Sequence, residues 1–133
     1  MTRILVIDDD QDTARVIKQI LIRNNMNVSA FTSPAAALDH WRQYSTEYGL
    51  VLSDIRMPGI SGFEVTRRVR QVNPDVKVVL MSSFEIHKSE VDKVLPNMQV
   101  DDFILKPVRK DELIHTIVKH IGGSKVLPPG ASE

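Results

Sequence analysis

Short runs of aliphatic and β-branched residues alternate along this chain with longer segments whose apolar positions recur every three or four residues. Ile4-Leu5-Val6-Ile7 predicts a first strand, and Ala14, Ile17 and Leu21, with Val16 and Ile20 alongside, predict a helix that Asn24-Asn25 ends. Val28 to Phe31 predicts a second strand. Ser33-Pro34 then sets a capping hydroxyl before a proline at the first helical position, and the second helix runs through Leu38 and Trp41 to near Tyr44. Leu50-Val51-Leu52 predicts the third strand. The turn-rich stretch Met57-Pro58-Gly59-Ile60-Ser61-Gly62 leads into a helix carried by Val65, Val69 and Val72 up to Asn73-Pro74. Val76 to Met81 predicts the fourth strand, Ile86 to about Leu95 a fourth helix with sparse apolar positions, and Asp102 to Leu105 the fifth strand. A last amphipathic helix carries Leu113, Ile114, Ile117, Val118 and Ile121 and stops at Gly122-Gly123. Five strands alternating with five helices form the pattern of βαβ units, hence a parallel sheet covered on both faces.

Polar residues with chemical potential stand where these apolar runs end. Asp8-Asp9 follows the first, Asp54 the third, Ser82 the fourth and Lys106 the fifth. Right-handed crossovers bring the carboxyl ends of parallel strands to one edge, and ligands collect there, outside the point where strand order reverses. Three carboxylates gathered at such an edge repel one another unless a divalent cation joins them, and oxygen-only donors suit Mg2+. A hard cation beside a carboxylate, an ammonium and a hydroxyl is suited to negative charge developing on phosphoryl oxygens, so phosphoryl transfer is the expected reaction class.

Length and charge narrow the picture further. With 133 residues the chain is expected to form one domain, over residues 1–122, followed by a flexible tail or linker start over 123–133 that holds Pro128-Pro129-Gly130. Seventeen basic residues balance seventeen acidic ones, so no global field favours nucleic acid or an anionic membrane. The absence of cysteine excludes disulfides, thiolate metal sites and cysteine nucleophiles. No apolar run approaches about twenty residues, and Met1-Thr2-Arg3 leads straight into a strand, so the expected location is the cytoplasm, away from membranes.

Over roughly its first 121 positions the chain resembles the receiver domain of two-component response regulators. The resemblance rests on Asp8-Asp9, on Asp54 followed by Met57-Pro58-Gly59, on Ser82, on Lys106-Pro107, and on the aromatic Phe103 in the fifth strand. It implies a flavodoxin-like (βα)5 doubly wound fold with a five-stranded parallel sheet in order 2-1-3-4-5. It also implies that Asp54 accepts a phosphoryl group from a phosphohistidine on a sensor histidine kinase or histidine phosphotransfer protein. Asp9, Asp54 and the backbone carbonyl of Arg56 would hold Mg2+, with Asp8 acting through a bound water. Lys106 would pair with Asp54 and then with a phosphoryl oxygen. Ser82 would bond another such oxygen and draw its loop inward, giving Phe103 room to turn. The fourth helix, fifth strand and last helix would form the output surface and a face for homodimerisation, with Lys88, Lys93, Asp101, Asp102 and Arg109 as pairing charges. The Lys106-Pro107 peptide is expected to be cis. Arg56 and Phe84, bulky beside the path of a hydrolytic water in similar proteins, imply slow loss of the phosphoryl group.

Taken singly, these motifs have ordinary uses. Asp10 or Asp12 can be only a helix cap, Met57-Pro58-Gly59 a turn, Ser82 a strand-end hydroxyl and Lys106-Pro107 a strand terminator. Their joint order favours the shared site. His40, His87, His115 and His120 read as surface or packing residues, and Trp41 and Tyr44 as residues that pack or cover the core edge. Two other functions compete. A phosphatase or phosphotransferase of the haloacid dehalogenase type would place its nucleophile at Asp8 in Asp8-Asp9-Asp10, and a receiver-like interaction module would bind partners without phosphorylation.

Overall fold

Strands with both faces apolar must be covered on both sides, and among the described residues two helices lie on each face. A computed structural model describes residues 3–83 and 100–121. The expected helix over Ile86 to Leu95, together with Phe84, His87, Lys88, Lys93 and the boundary of the tail, lies outside them. The elements are β1 (Arg3–Ile7), α1 (Gln11–Arg23), β2 (Asn27–Phe31), α2 (Pro34–Tyr44), a 3₁₀ turn (Ser45–Glu47), β3 (Tyr48–Asp54), α3 (Gly62–Val72), β4 (Lys77–Ser82), β5 (Asp102–Leu105) and α4 (Lys110–His120). α4 is the last of the helices expected from the sequence. The five strands form one sheet in the order β2-β1-β3-β4-β5, and every neighbouring pair is parallel. The doubly wound fold with order 2-1-3-4-5 is therefore present.

Side chains alternate across the sheet and feed two cores. Ile4, Val6, Leu50, Leu52, Met81 and Ile104 pack with Ile17 and Leu21 of α1 and Leu113 and Ile117 of α4. Leu5, Ile7, Val51, Val78 and Leu80 pack on the other face with Leu38 and Trp41 of α2 and Val65 and Val69 of α3. Trp41 is fully buried, and its indole N–H donates to the carbonyl of Val69 at 3.1 Å, joining the two helices of that face.

The helix boundaries follow their caps. Asp10 Oδ1 accepts from the N–H of Asp12 (3.1 Å), Ser33 Oγ from Ala36 (3.2 Å) and Ser61 Oγ from Glu64 (3.2 Å). α1 ends where Asn24 Nδ2 donates to the carbonyl of Ile20 (2.8 Å) and Asn25 adopts a φ of 65°. β3 begins at Tyr48, two residues earlier than the apolar run suggests. Tyr48 pairs with Arg3 ahead of a register shift, and the Arg3 guanidinium lies 4.8 Å from the centre of its ring. Val72 faces solvent rather than the core, being 45% exposed at the end of α3.

Candidate functional site

β1 and β3 are adjacent but their crossovers run to opposite sides, so the ends of these two strands frame the crevice at which strand order reverses. Asp8 and Asp9 follow β1, Asp54 closes β3, Ser82 closes β4, and Lys106 follows β5. The structure brings the carboxylates together: Asp8, Asp9 and Asp54 each offer an oxygen within 4.8 Å of the others. Asp8 is fully buried and Asp54 nearly so, whereas Asp9 is exposed.

Lys106 spans this group. Its Nζ lies 3.1 Å from Asp54 Oδ2, in hydrogen-bond geometry, and 3.0 Å from Asp8 Oδ2. The contact with Asp8 is an ion pair without hydrogen-bond alignment, and Asp8 Oδ2 has no aligned donor among the described residues. The other oxygen, Asp8 Oδ1, accepts from the N–H of Asp10 at 2.9 Å, which fixes the rotamer of Asp8. Burial, reinforced by the charge of Asp8, holds the Asp54 carboxyl above the usual carboxylate range, although Lys106 opposes the shift. Burial alone would lower the Lys106 ammonium, but the neighbouring carboxylates of Asp8 and Asp54 carry it above the ordinary lysine value. Lys106 is thus held as a cation.

The backbone around the site is equally constrained. The N–H of Lys106 donates to the carbonyl of Ser82 at 2.8 Å, and the Lys106-Pro107 peptide is cis, as the resemblance implies. Ser82 is fully buried. Phe103 pairs in register with Leu80, is half-buried, and packs against the core on the α2 and α3 face. Arg56 is exposed in the loop after Asp54, and Gly59 in the same loop has a φ of 86°, a conformation that favours glycine. Asp10 acts as the α1 cap, taking also the hydroxyl of Thr13 at 2.8 Å.

A buried, unaligned carboxylate oxygen beside two further carboxylates suits a hard divalent cation, and the all-oxygen donor set suits Mg2+. A groove of about 430 Å3 opens beside the site, between Val16, Ile17 and Ile20 of α1 and Pro107-Val108.

A family model described as the response regulator receiver domain matches residues 4–118. The chain belongs to this family. Among curated relatives, the response regulator ArlR of Staphylococcus haemolyticus is 32% identical over 118 residues, covering 88% of this chain and 51% of that protein. The cell cycle transcriptional regulator CtrA of Caulobacter vibrioides is 30% identical over 126 residues, covering 91% of this chain and 52% of that protein. The receiver chain thus spans about half the length of these relatives. Among solved structures, a response regulator receiver domain protein from Clostridium thermocellum superposes with a TM-score of 0.83 at 23% identity, covering 96% of this chain and 99% of that one. A CheY-like receiver domain protein from Methanospirillum hungatei gives 0.81 at 25% identity, covering 94% and 97%. Receiver domains generally use Mg2+, and response regulators work with histidine kinases and output domains. In this receiver, no helix among the described residues is long and apolar enough to cross a membrane.

Some partners of charged residues in the receiver escape sequence reasoning. Asp102 Oδ2 meets His120 Nε2 at 2.9 Å and Lys119 Nζ at 3.7 Å, tying the end of α4 to the start of β5. Asp101 Oδ2 accepts from Arg70 and from the N–H of Val78, each at 2.7 Å. Both aspartates, expected as pairing charges toward a second copy, are thus engaged within the chain. His40 Nε2 lies 2.7 Å from the Tyr48 hydroxyl and its ring packs among Phe31, Tyr44 and Tyr48.

Proposed function

We propose that this receiver accepts a phosphoryl group on Asp54 from a phosphohistidine on a sensor histidine kinase or a histidine phosphotransfer protein, and thereby switches its output surface. The observation that carries the reading is the Asp54 carboxylate at a strand end, 3.1 Å from a cationic Lys106 and grouped with Asp8 and Asp9. An Asp54 carboxylate oxygen attacks phosphorus, a P–O bond forms as the P–N bond of the donor breaks, and the electron pair leaves with the imidazole nitrogen. Asp8, Asp9, Asp54 and the backbone carbonyl of Arg56 would hold Mg2+, which supplies charge neutralisation on the phosphoryl oxygens. Lys106 moves from Asp54 to a phosphoryl oxygen, keeping one charge-assisted bond throughout.

Ser82 donates its hydroxyl to another phosphoryl oxygen. This draws in the β4 end, to which Lys106 is already tied through its N–H, and admits Phe103 inward. The response appears on the segment between β4 and β5, on β5 and on α4, where an output domain, a separate protein or a second copy reads it. Phosphorylation supplies new charge-assisted hydrogen bonds at one edge of the sheet, and a few kcal/mol are enough to reverse a two-state preference. The receiver domain spans residues 1–122 with a tail over 123–133, works in the cytoplasm and binds no nucleic acid itself. It promotes its own phosphorylation and dephosphorylation, the latter slowly because of Arg56 and Phe84.

Amide spectra recorded with Mg2+ and beryllium fluoride, a mimic of an acyl phosphate, test the switch. Expected are shifts around Ser82, Phe103 and α4 that vanish in Asp54→Asn. Shifts confined to the three aspartates and Lys106 would refute the propagation.

A further inference from the structure

Ser53 occupies an improbable place for a hydroxyl. It is fully buried, and its register partners on the two neighbouring strands are Ile7 and Leu80, both fully buried aliphatics. A valine or isoleucine there would extend the core without the cost of desolvating a polar group. The hydroxyl instead donates to the carbonyl oxygen of Asp54 at 2.9 Å.

The peptide unit that follows Asp54 is consequently held at both ends. Its oxygen takes the Ser53 hydroxyl, and its N–H, belonging to Ile55, donates to the carbonyl of Met81 on β4 at 3.0 Å. α3 closes on the same unit. The N–H of Gly62 donates to the carbonyl of Ile55 at 2.8 Å, and a β-carbon on Gly62 would stand 2.5 Å from the Asp54 oxygen and 2.8 Å from Ile55 Cα. Buried Thr66 completes the seam, its hydroxyl donating to the carbonyl of Gly62 at 2.9 Å. Ser53 of β3, Met81 of β4 and Gly62 of α3 therefore converge on the Asp54–Ile55 backbone.

We infer that Ser53 is a positioning residue for phosphoryl transfer: its hydroxyl, with the close approach of Gly62, locks the Asp54–Ile55 peptide plane and so aims the Asp54 carboxylate. Fixing that plane fixes ψ of Asp54, leaving the side chain only its own two torsions to reach Lys106. A reacting group displaced by about 1 Å loses much of the advantage of prior alignment. The inference rests on the reading of Asp54 as phosphoacceptor.

The test measures the rate of mass-adduct formation with acetyl phosphate at saturating Mg2+ for wild type, Ser53→Ala and Ser53→Thr, together with their melting temperatures. Expected is a roughly tenfold lower saturating rate for Ser53→Ala. Its half-saturating donor concentration and adduct site should be unchanged, its melting temperature level or higher, and Ser53→Thr, which restores the donor, should lie close to wild type. A purely structural role would lower the melting temperature and leave the saturating rate of folded protein intact. A wild-type rate in Ser53→Ala overturns the inference, as does an equal loss in Ser53→Ala and Ser53→Thr, which assigns the effect to packing rather than to the hydroxyl. Absence of any adduct on wild type overturns the phosphoacceptor reading itself, and the inference with it.

Discussion

Lys106 reaches Asp54 across 52 positions of sequence, its Nζ 3.1 Å from Oδ2. Because the same ammonium lies 3.0 Å from Asp8, it compensates two buried carboxylates. Lys106→Met should therefore destabilise the Mg2+-free protein by about 3 kcal/mol, the usual cost of leaving buried charge unpaired. It should raise Mg2+ affinity, because a competing cation is gone, so that Mg2+ restores most of the lost stability. Phosphorylation should slow by about a hundredfold, as when a donor to a developing oxyanion is removed. Calorimetric Mg2+ titration, denaturation with and without Mg2+, and the adduct rate check these outcomes.

Asp54 in the free protein works against the fold. Burial, then the charge of Asp8, raises its carboxyl pKa above that of the unfolded chain, where the value is about 3.9. A raised folded value means that the stabilising form is the protonated one, present at acid pH and lost as pH rises through the folded value. At neutral pH without metal, Asp54→Asn should therefore melt about 3 °C higher than wild type, with the gap closing in acid. Added Mg2+ should stabilise wild type more than the variant. A melting series over pH, with and without Mg2+, reads all of these trends.

The Asp102 and His120 pair has the opposite sign. Burial opposes ionisation of Asp102, but the His120 hydrogen bond, aided by the N–H of Phe103 and the charge of Lys119, outweighs it and lowers the carboxyl below its usual value. The stabilisation is complete above the unfolded carboxylate range and disappears as pH falls through the lowered folded value. Asp102→Asn should thus be less stable than wild type at pH 7 and equal to it at strongly acid pH. Urea unfolding of both proteins across that range measures the difference.

What could be read from the sequence divides along physical lines. The period of apolar residues located β1, α1, β2 and α2 closely, because Asn24-Asn25 and Ser33-Pro34 punctuate the pattern and because both sheet faces are buried. It also placed Asp8, Asp54, Ser82 and Lys106 at strand ends, while the order of the strands came from the resemblance and not from the pattern. The contacts of His120, Asp102, Arg70 and Asp101 were not readable. Each joins a helix to a strand or its approach, so it depends on crossing geometry that neither helical spacing nor strand alternation reports. A lone serine in an apolar run carries no pattern, so Ser53 stands out only through its register partners.

Trp41→Phe should keep the fold but lose the bond to the Val69 carbonyl, lowering stability by about 1–2 kcal/mol. Trp41→Ala should cost about 3–5 kcal/mol through the cavity it leaves between α2 and α3. Far-ultraviolet circular dichroism with urea titration separates the two.

The most direct measurement is the intact mass of wild type and Asp54→Asn after acetyl phosphate, with and without Mg2+. One added phosphoryl group that requires both Mg2+ and Asp54 is the expected result. An adduct that survives in Asp54→Asn would move the chemistry to another residue, Asp8 first. No adduct on wild type under any condition would make the protein an interaction module that does not use phosphorylation.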